Sequence, residues 1–375
     1  MLAAPANFAP DAAADGMPFF ATGPDFLDFH RGTHQEWRVM AAVERAIPAQ
    51  FDGLMAASEG ADAIVGSMLS FAAPSVARVR NIAYVYAMFS PLYLRSDAHV
   101  VPGAPVRWLP SVAVRAAYWI QDALTVPLAP HLQAEQRRLG LPPVRSGYEH
   151  LANSGDLLLA YDESLLPTPG GVAGRPHHVG LLRRDSAEGS LPESVRAFLA
   201  AGPPPVYIGF GSMSHADPER TTRVLLDAIR LSGVRAVIAS GWSGLRTTAL
   251  PPDVLLLPQA PHDRLFPRCA AIVHHGGAGT LSAAAWAGVP QSVVWHWGDQ
   301  YHHGWRVNEL GIGPPPLAIR SLRADRLAVT IRRLVDDASA RGKAAELGAA
   351  MRSHAGGAAS AADVVEQAIA GRQNA

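Results

Sequence analysis

From Val206 onward, short apolar runs recur at intervals near Val206, Ala236, Val254, Ala271, Gln291 and Leu317, separated by stretches long enough for helices. This alternation predicts parallel strands in a doubly wound sheet, with helices beginning near Pro218, Ala278 and Gln300 and further helices from Leu322. The N-terminal half predicts strands near Ala63, Ile82 and Leu157, and two long helical stretches, His34 to Ala57 and Ser111 to Leu139. Between the halves, PTPGGVAGRPHHVGLLRRDSAEGSLPES mixes proline, glycine and charge and reads as interdomain chain. The expected division is residues 1–182, a linker 183–203 and residues 204–375. The alanine-rich tail from Ala344 to Ala370 predicts packed helix, and no repeat of fixed period is visible.

One segment of this pattern carries chemistry. In AIVHHGGAGTLSAAAWAGVP, residues 271 to 290, an apolar strand runs into Gly276, Gly277 and Gly279, and Thr280 to Ala287 continue as a helix. A strand, a glycine turn and a helix N-terminus bring free backbone N–H groups and the positive end of the helix dipole to one place, where phosphates can sit without a metal. His274, at the end of the strand, is placed to add a hydrogen bond. A second strand, Val206 to Phe210, ends in GSM and puts the Ser212 hydroxyl at another strand-to-loop junction. Ligands of such sheets bind outside the carboxyl ends of the strands.

VYIGFGSM, SGWSGL, APHDRLFPRCAAIVHHGGAGT and GDQ, in this order and spacing from about Pro203 to Pro314, resemble the nucleotide-sugar half of the family 1 glycosyltransferases. The resemblance is to the bacterial and fungal branch that glycosylates sterols, lipids, macrolides and glycopeptides. It implies an α/β chain of GT-B architecture: two Rossmann-like domains facing across a cleft, acceptor on the N-terminal side and sugar nucleotide on the C-terminal side. It also implies that His274 and Thr280 hold the phosphates, with Gly276, Gly277, Ala278 and Gly279 supplying backbone. Ser212 matches the serine that reaches the diphosphate, and Trp242, Gln259 and Ala260 match the wall around the base. Asp299 and Gln300 match the residues that bond the donor's hydroxyls, and a carboxylate and an amide suit that work. The implied reaction is inverting transfer of a hexose or deoxyhexose from a UDP- or dTDP-sugar to a hydroxyl of a lipophilic acceptor, with no further cofactor.

Composition narrows the alternatives. The chain of 375 residues is long enough for two cores, and 32 basic against 32 acidic residues leave no net charge to draw nucleic acid. The single cysteine, Cys269, excludes an intramolecular disulfide and suits a small apolar role before a core strand. No apolar run reaches spanning length, and the first ten residues lack the pattern of a signal peptide. The expected location is the cytoplasm, with transient membrane contact left open.

Two features depart from the resemblance. The family begins with a strand, a loop carrying the catalytic base and a helix, whereas Met1 to Pro10 resembles the second strand. A first βα unit is therefore expected to be missing, a start site assigned too late being the favoured explanation, and no catalytic residue is named. His30 and His34, at helical spacing, read as solvent-facing. Around Asp299 the chain reads VVWHWGDQYHHGW, and His296, His302 and His303 raise the question of a metal. Neighbouring positions on a helix point about 100° apart, so no metal is expected. Tyr84, Tyr86, Met88, Phe89, Tyr93, Trp108, Tyr118 and Trp119 fit either an acceptor pocket or core. Against transfer stand two alternatives: a sugar-nucleotide-binding helper without activity, and an epimerase or hydrolase of the same fold.

Overall fold

The computed structural model describes residues 1–25, 36–94, 96, 106, 109–125, 129–144, 146–170, 175–183, 191–211, 213, 217–241, 250–354 and 356–373. The C-terminal half is built on six parallel strands: β7 (Val206–Gly209), β8 (Ala236–Ala239), β9 (Val254–Leu257), β10 (Ala271–His274), β11 (Gln291–Trp295) and β12 (Leu317–Ala318). Their order across the sheet is β12-β11-β10-β7-β8-β9. Numbered within the half, this is the doubly wound order, and the winding reverses between β7 and β10. Ala271 lies opposite Val206 and His274 opposite Gly209 in that pair.

These strands are apolar on both faces because both are covered. Ile208, Val273 and Val294 pack with Leu225, Ile229, Leu327 and Ile331 of helices Pro218–Ser232 and Ala324–Asp336. Tyr207, Val237 and Ile272 face the other way, toward Ala284, Leu265 and Phe266. Local signals set the helix ends. The Asp217 carboxylate accepts from Arg220 N at 2.8 Å, Pro218 opens the helix, and Gly233 at φ 67° closes it. Cys269 lies buried below β10, its thiol pushed up to about 12 by burial.

In the N-terminal half, β3 (Ala63–Gly66), β4 (Ala83–Met88), β5 (Asp156–Leu159) and β6 (Arg175–His178) form a parallel sheet in that order. β1 (Leu2–Ala4) and β2 (Phe19–Ala21) pair with each other in a ladder of their own. Helix Glu36–Ala57 packs on both of these strands and on helix Ala73–Arg80. The long helical stretch expected after Ser111 is two helices, Ser111–Thr125 and Ala129–Arg138.

Two placements depart from the sequence reading. β6 lies in the stretch read as interdomain chain; RPHH is polar and mostly exposed, so it carries no apolar signal. Helix Gly357–Gln373, expected to complete the C-terminal domain, packs on the N-terminal sheet instead. Its Val364 joins Val85, Ala87, Leu158 and Val179, with Ala361, Val365 and Ala368 alongside. A larger apolar cluster also joins the halves: Phe71, Tyr86, Leu157 and Tyr161 belong with Leu281, Val293, Val307 and Met351. Tyr84, Tyr86, Met88 and Tyr118 are therefore core, whereas Phe89 and Trp119 are exposed.

Val364→Asp places an unpaired carboxylate among Val85, Ala87 and Leu158. Denaturant unfolding should show a stability loss of about 3 kcal/mol, and a loss below about 0.5 kcal/mol would mean that this helix does not cover the sheet.

Candidate functional site

The carboxyl ends of β7, β10 and β11 bring three loops together at the reversal of the winding. After β10 the chain turns at Gly276, φ +93°, a conformation that L side chains rarely adopt, and a Cβ there would stand 2.7 Å from Val293 Cγ1. Gly277 then starts helix Ala278–Ala287, and a Cβ on it would meet His275 Nε2 at 2.4 Å. Among the described residues no side-chain cap is seen at this helix start. Gly279 is exposed and has nothing within 4 Å of where its Cβ would be, so the first turn faces open space. Its N–H groups and dipole are available to an anion.

The two histidines of the turn do different work. His274 has no exposed surface. Its Nε2 meets Gln291 Oε1 at 2.8 Å, and its Nδ1 accepts from Gly276 N at 3.1 Å. Both ring nitrogens are used, so the expectation that His274 holds phosphate is corrected: it builds the turn from beneath. Strand alternation explains this, since His274 follows the parity of Ile272, whose partner across the ladder is Gln291. Burial, with His275 adding to it, holds the His274 imidazole at about 3, against the hydrogen bond it donates to Gln291.

His275 is the residue that the sequence reading missed. It stands between the loops, with Cε1 2.9 Å from where a Gly211 Cβ would lie. Its Nδ1 is buried and has no hydrogen-bond partner among the described residues. Burial, reinforced by His262 and His303, lowers this imidazole to about 4, so it is neutral at pH 7 with a nitrogen to offer.

On the β11 side, Gly298 takes φ +66° and Asp299 begins helix Gln300–Glu309. Burial raises the Asp299 carboxyl above the usual carboxylate range, and His303 pulls it the other way. Gln300 is 4% exposed. Its Oε1 accepts from His296 N at 2.8 Å and from Trp297 N at 3.4 Å, and its Nε2 lies 3.3 Å from Met213 Sδ. The amide thus fastens the β11 loop to the β7 loop, and its oxygen is not free for a sugar hydroxyl as expected. Gln259 is exposed and Ala260 partly so at the end of β9, and Thr280 is half-buried in the first helical turn. Ser212, Trp242, His30, His34 and Trp108 lie outside the described residues. Among the described residues, no group of three or more His, Cys, Asp or Glu is placed to hold a metal ion.

Residues 225–370 match the family described as erythromycin biosynthesis protein CIII-like, C-terminal domain. The glycosyltransferase GtfC of Amycolatopsis orientalis is 37% identical over 286 residues, 74% of this chain and 68% of that protein. The vancomycin aglycone glucosyltransferase of the same organism is 34% identical over 83% of this chain and 77% of its own length. A sterol 3-beta-glucosyltransferase of Arabidopsis thaliana is 29% identical over 88% of this chain, which spans 57% of it. Among solved structures, the kitacinnamycin glycosyltransferase aligns with TM-score 0.73 at 20% identity, over 98% of this chain and 90% of that one. The glycosyltransferase VinC, in complex with dTDP, aligns with TM-score 0.67 at 20% identity, over 98% and 91%. The chain belongs to the family 1 glycosyltransferases, has the GT-B fold, and is a sugar-transferring enzyme. No described helix is long and apolar enough to cross a membrane.

Histidines shielded from water, two of them buried and two half-buried, make acid stability a measurable property. His150, His262 and His275 lie at about 4 and His274 at about 3, below the ordinary 6.5. The unfolded chain therefore binds more protons below pH 6.5, and stability is full above that pH and falls as pH drops toward 4. Each histidine should remove on the order of 1–2 kcal/mol between pH 7 and pH 5. Stability measured across that range should fall less steeply for His150→Asn; identical slopes would contradict the neutral state of the half-buried His150.

Proposed function

We propose that this enzyme takes a hexose or deoxyhexose from a UDP- or dTDP-sugar and transfers it, with inversion, to a hydroxyl of a lipophilic acceptor. The observation that carries the reading is the neutral His275, whose Nδ1 has no hydrogen-bond partner among the described residues, beside a helix start that no described side chain caps, where the sheet reverses its winding. A diphosphate supplies the acceptor oxygens that this arrangement lacks. The N–H groups of Ala278, Gly279 and Thr280 face one phosphate, and His275 donates to an oxygen of the diphosphate. Asp299 takes the sugar hydroxyls, Gln300 holds the loop that carries Asp299, and Gln259 and Ala260 border the base. Ser212 and Trp242 complete the pocket by the resemblance alone.

In the reaction the acceptor oxygen forms a bond to the anomeric carbon as the bond from that carbon to the phosphate oxygen breaks. The diphosphate leaves with the electron pair, and the acceptor proton passes to a base. The helix N-terminus and His275 stabilise the charge that grows on the leaving oxygen, so neither a metal nor another cofactor is assigned to this step. Relatives named for a sterol and for the vancomycin aglycone support an acceptor with a large apolar body.

Calorimetric titration should detect binding of UDP or dTDP, and His275→Ala should weaken it tenfold or more, by about 1.5–3 kcal/mol. Asp299→Asn should weaken the intact sugar nucleotide well beyond the bare diphosphate. Equal affinity of wild type and His275→Ala would remove His275 from the phosphates, equal weakening of both ligands would remove Asp299 from the sugar, and binding without turnover would favour the helper protein.

A further inference from the structure

The histidine doublet after Gln300 has no part in the donor reading, yet its second member joins three elements. His303 has no exposed surface and Ser90, just beyond β4, is 3% exposed. His303 Nδ1 lies 2.7 Å from the Gly276 carbonyl oxygen, and its Nε2 lies 3.0 Å from Ser90 Oγ. A carbonyl can only accept, so Nδ1 carries a proton, and in the neutral ring Nε2 then accepts from the Ser90 hydroxyl. Ser90 Oγ in turn accepts from Leu92 N at 3.4 Å. A continuous chain of hydrogen bonds therefore runs from the acceptor half, through one imidazole, to the carbonyl of the left-handed glycine. Asp299 Oδ2 is 3.9 Å from the same Nε2, beyond hydrogen-bond distance.

We infer that His303 is a positioning residue for the sugar-nucleotide diphosphate: it fixes the Gly276 turn by holding its carbonyl, and takes its own orientation from Ser90 in the opposite half. The inference rests on the donor reading above. The physical reason is that the peptide at Gly276 sets where the following N–H groups point. His274 bonds the Gly276 N–H from below, and His303 bonds the Gly276 carbonyl from the β11 side. With both polar groups of this residue held by buried imidazoles, the turn is fixed before a ligand arrives, and binding need not order it. Ser90 makes that order depend on the seating of the N-terminal half.

Two conservative variants separate the arms of the ring. An asparagine places its amide nitrogen near the position of Nδ1 and keeps the bond to Gly276, whereas a glutamine reaches toward the position of Nε2 and Ser90. Titration of UDP and dTDP, with thermal unfolding of each variant as a control, tests the pair. His303→Gln should bind the diphosphate about tenfold more weakly, and His303→Asn should stay within about threefold of wild type. Ser90→Ala should weaken wild type about threefold and add nothing in the His303→Asn background, because the link is already cut there. Equal weakening by asparagine and glutamine, or an undiminished Ser90→Ala effect beside asparagine, would overturn the positioning role. Where a variant unfolds early, titration below its melting range decides between these outcomes. Loss of binding by wild type itself would overturn the donor reading and this inference together, whereas wild-type binding with unresponsive variants would overturn the inference alone.

Discussion

The functional end of the C-terminal half depends on one buried hydrogen-bonded ring, His274 between Gln291 and the Gly276 amide. A polar ring without exposed surface is costly unless both nitrogens are bonded, and here each has a partner. Gln291 also donates to Leu281 O at 3.4 Å, so the same network fastens the helix that follows the turn. The left-handed Gly276, the start of helix Ala278–Ala287 and the seat of His275 all descend from it. An apolar residue at position 274 would fill the space and leave the turn without its anchor.

Much of this was legible in the chain. The six apolar runs after Val206 are strands because residues apolar on both faces suit a sheet with helices on both sides. The glycine cluster marked the turn after β10 because the backbone at Gly276, φ +93°, admits little else. Asp217, Pro218 and Gly233 announced a helix at both ends. These signals are local, carried by residues that act on their immediate neighbours.

What was not legible depends on contacts far apart in sequence or on parity. His274 and His275 are adjacent and chemically identical, and only the ladder register with β11 shows which one lies beneath the turn. β6 could not be read because RPHH is polar and mostly exposed. Helix Gly357–Gln373 has only two buried residues, Gly357 and Val364, and nothing in its alanine-rich pattern tells which sheet it covers. Ser90 and His303 are 213 positions apart. Gln300 shows the same limit, since its residue type suits a sugar but its carbonyl is used by two backbone N–H groups.

The apolar cluster shared between the halves bears on how this enzyme loses its structure. Leu281 and Val293 both follow the glycine turn in sequence, yet they belong to the same cluster as Phe71 and Leu157 of the N-terminal half. Separating the halves would expose that surface to water, so the two sheets are coupled in melting, and slow amide hydrogen exchange in one should report on the integrity of the other. A ligand seated at the carboxyl end of β10 would then slow exchange in strands it never touches, because it stabilises the folded state that both halves share.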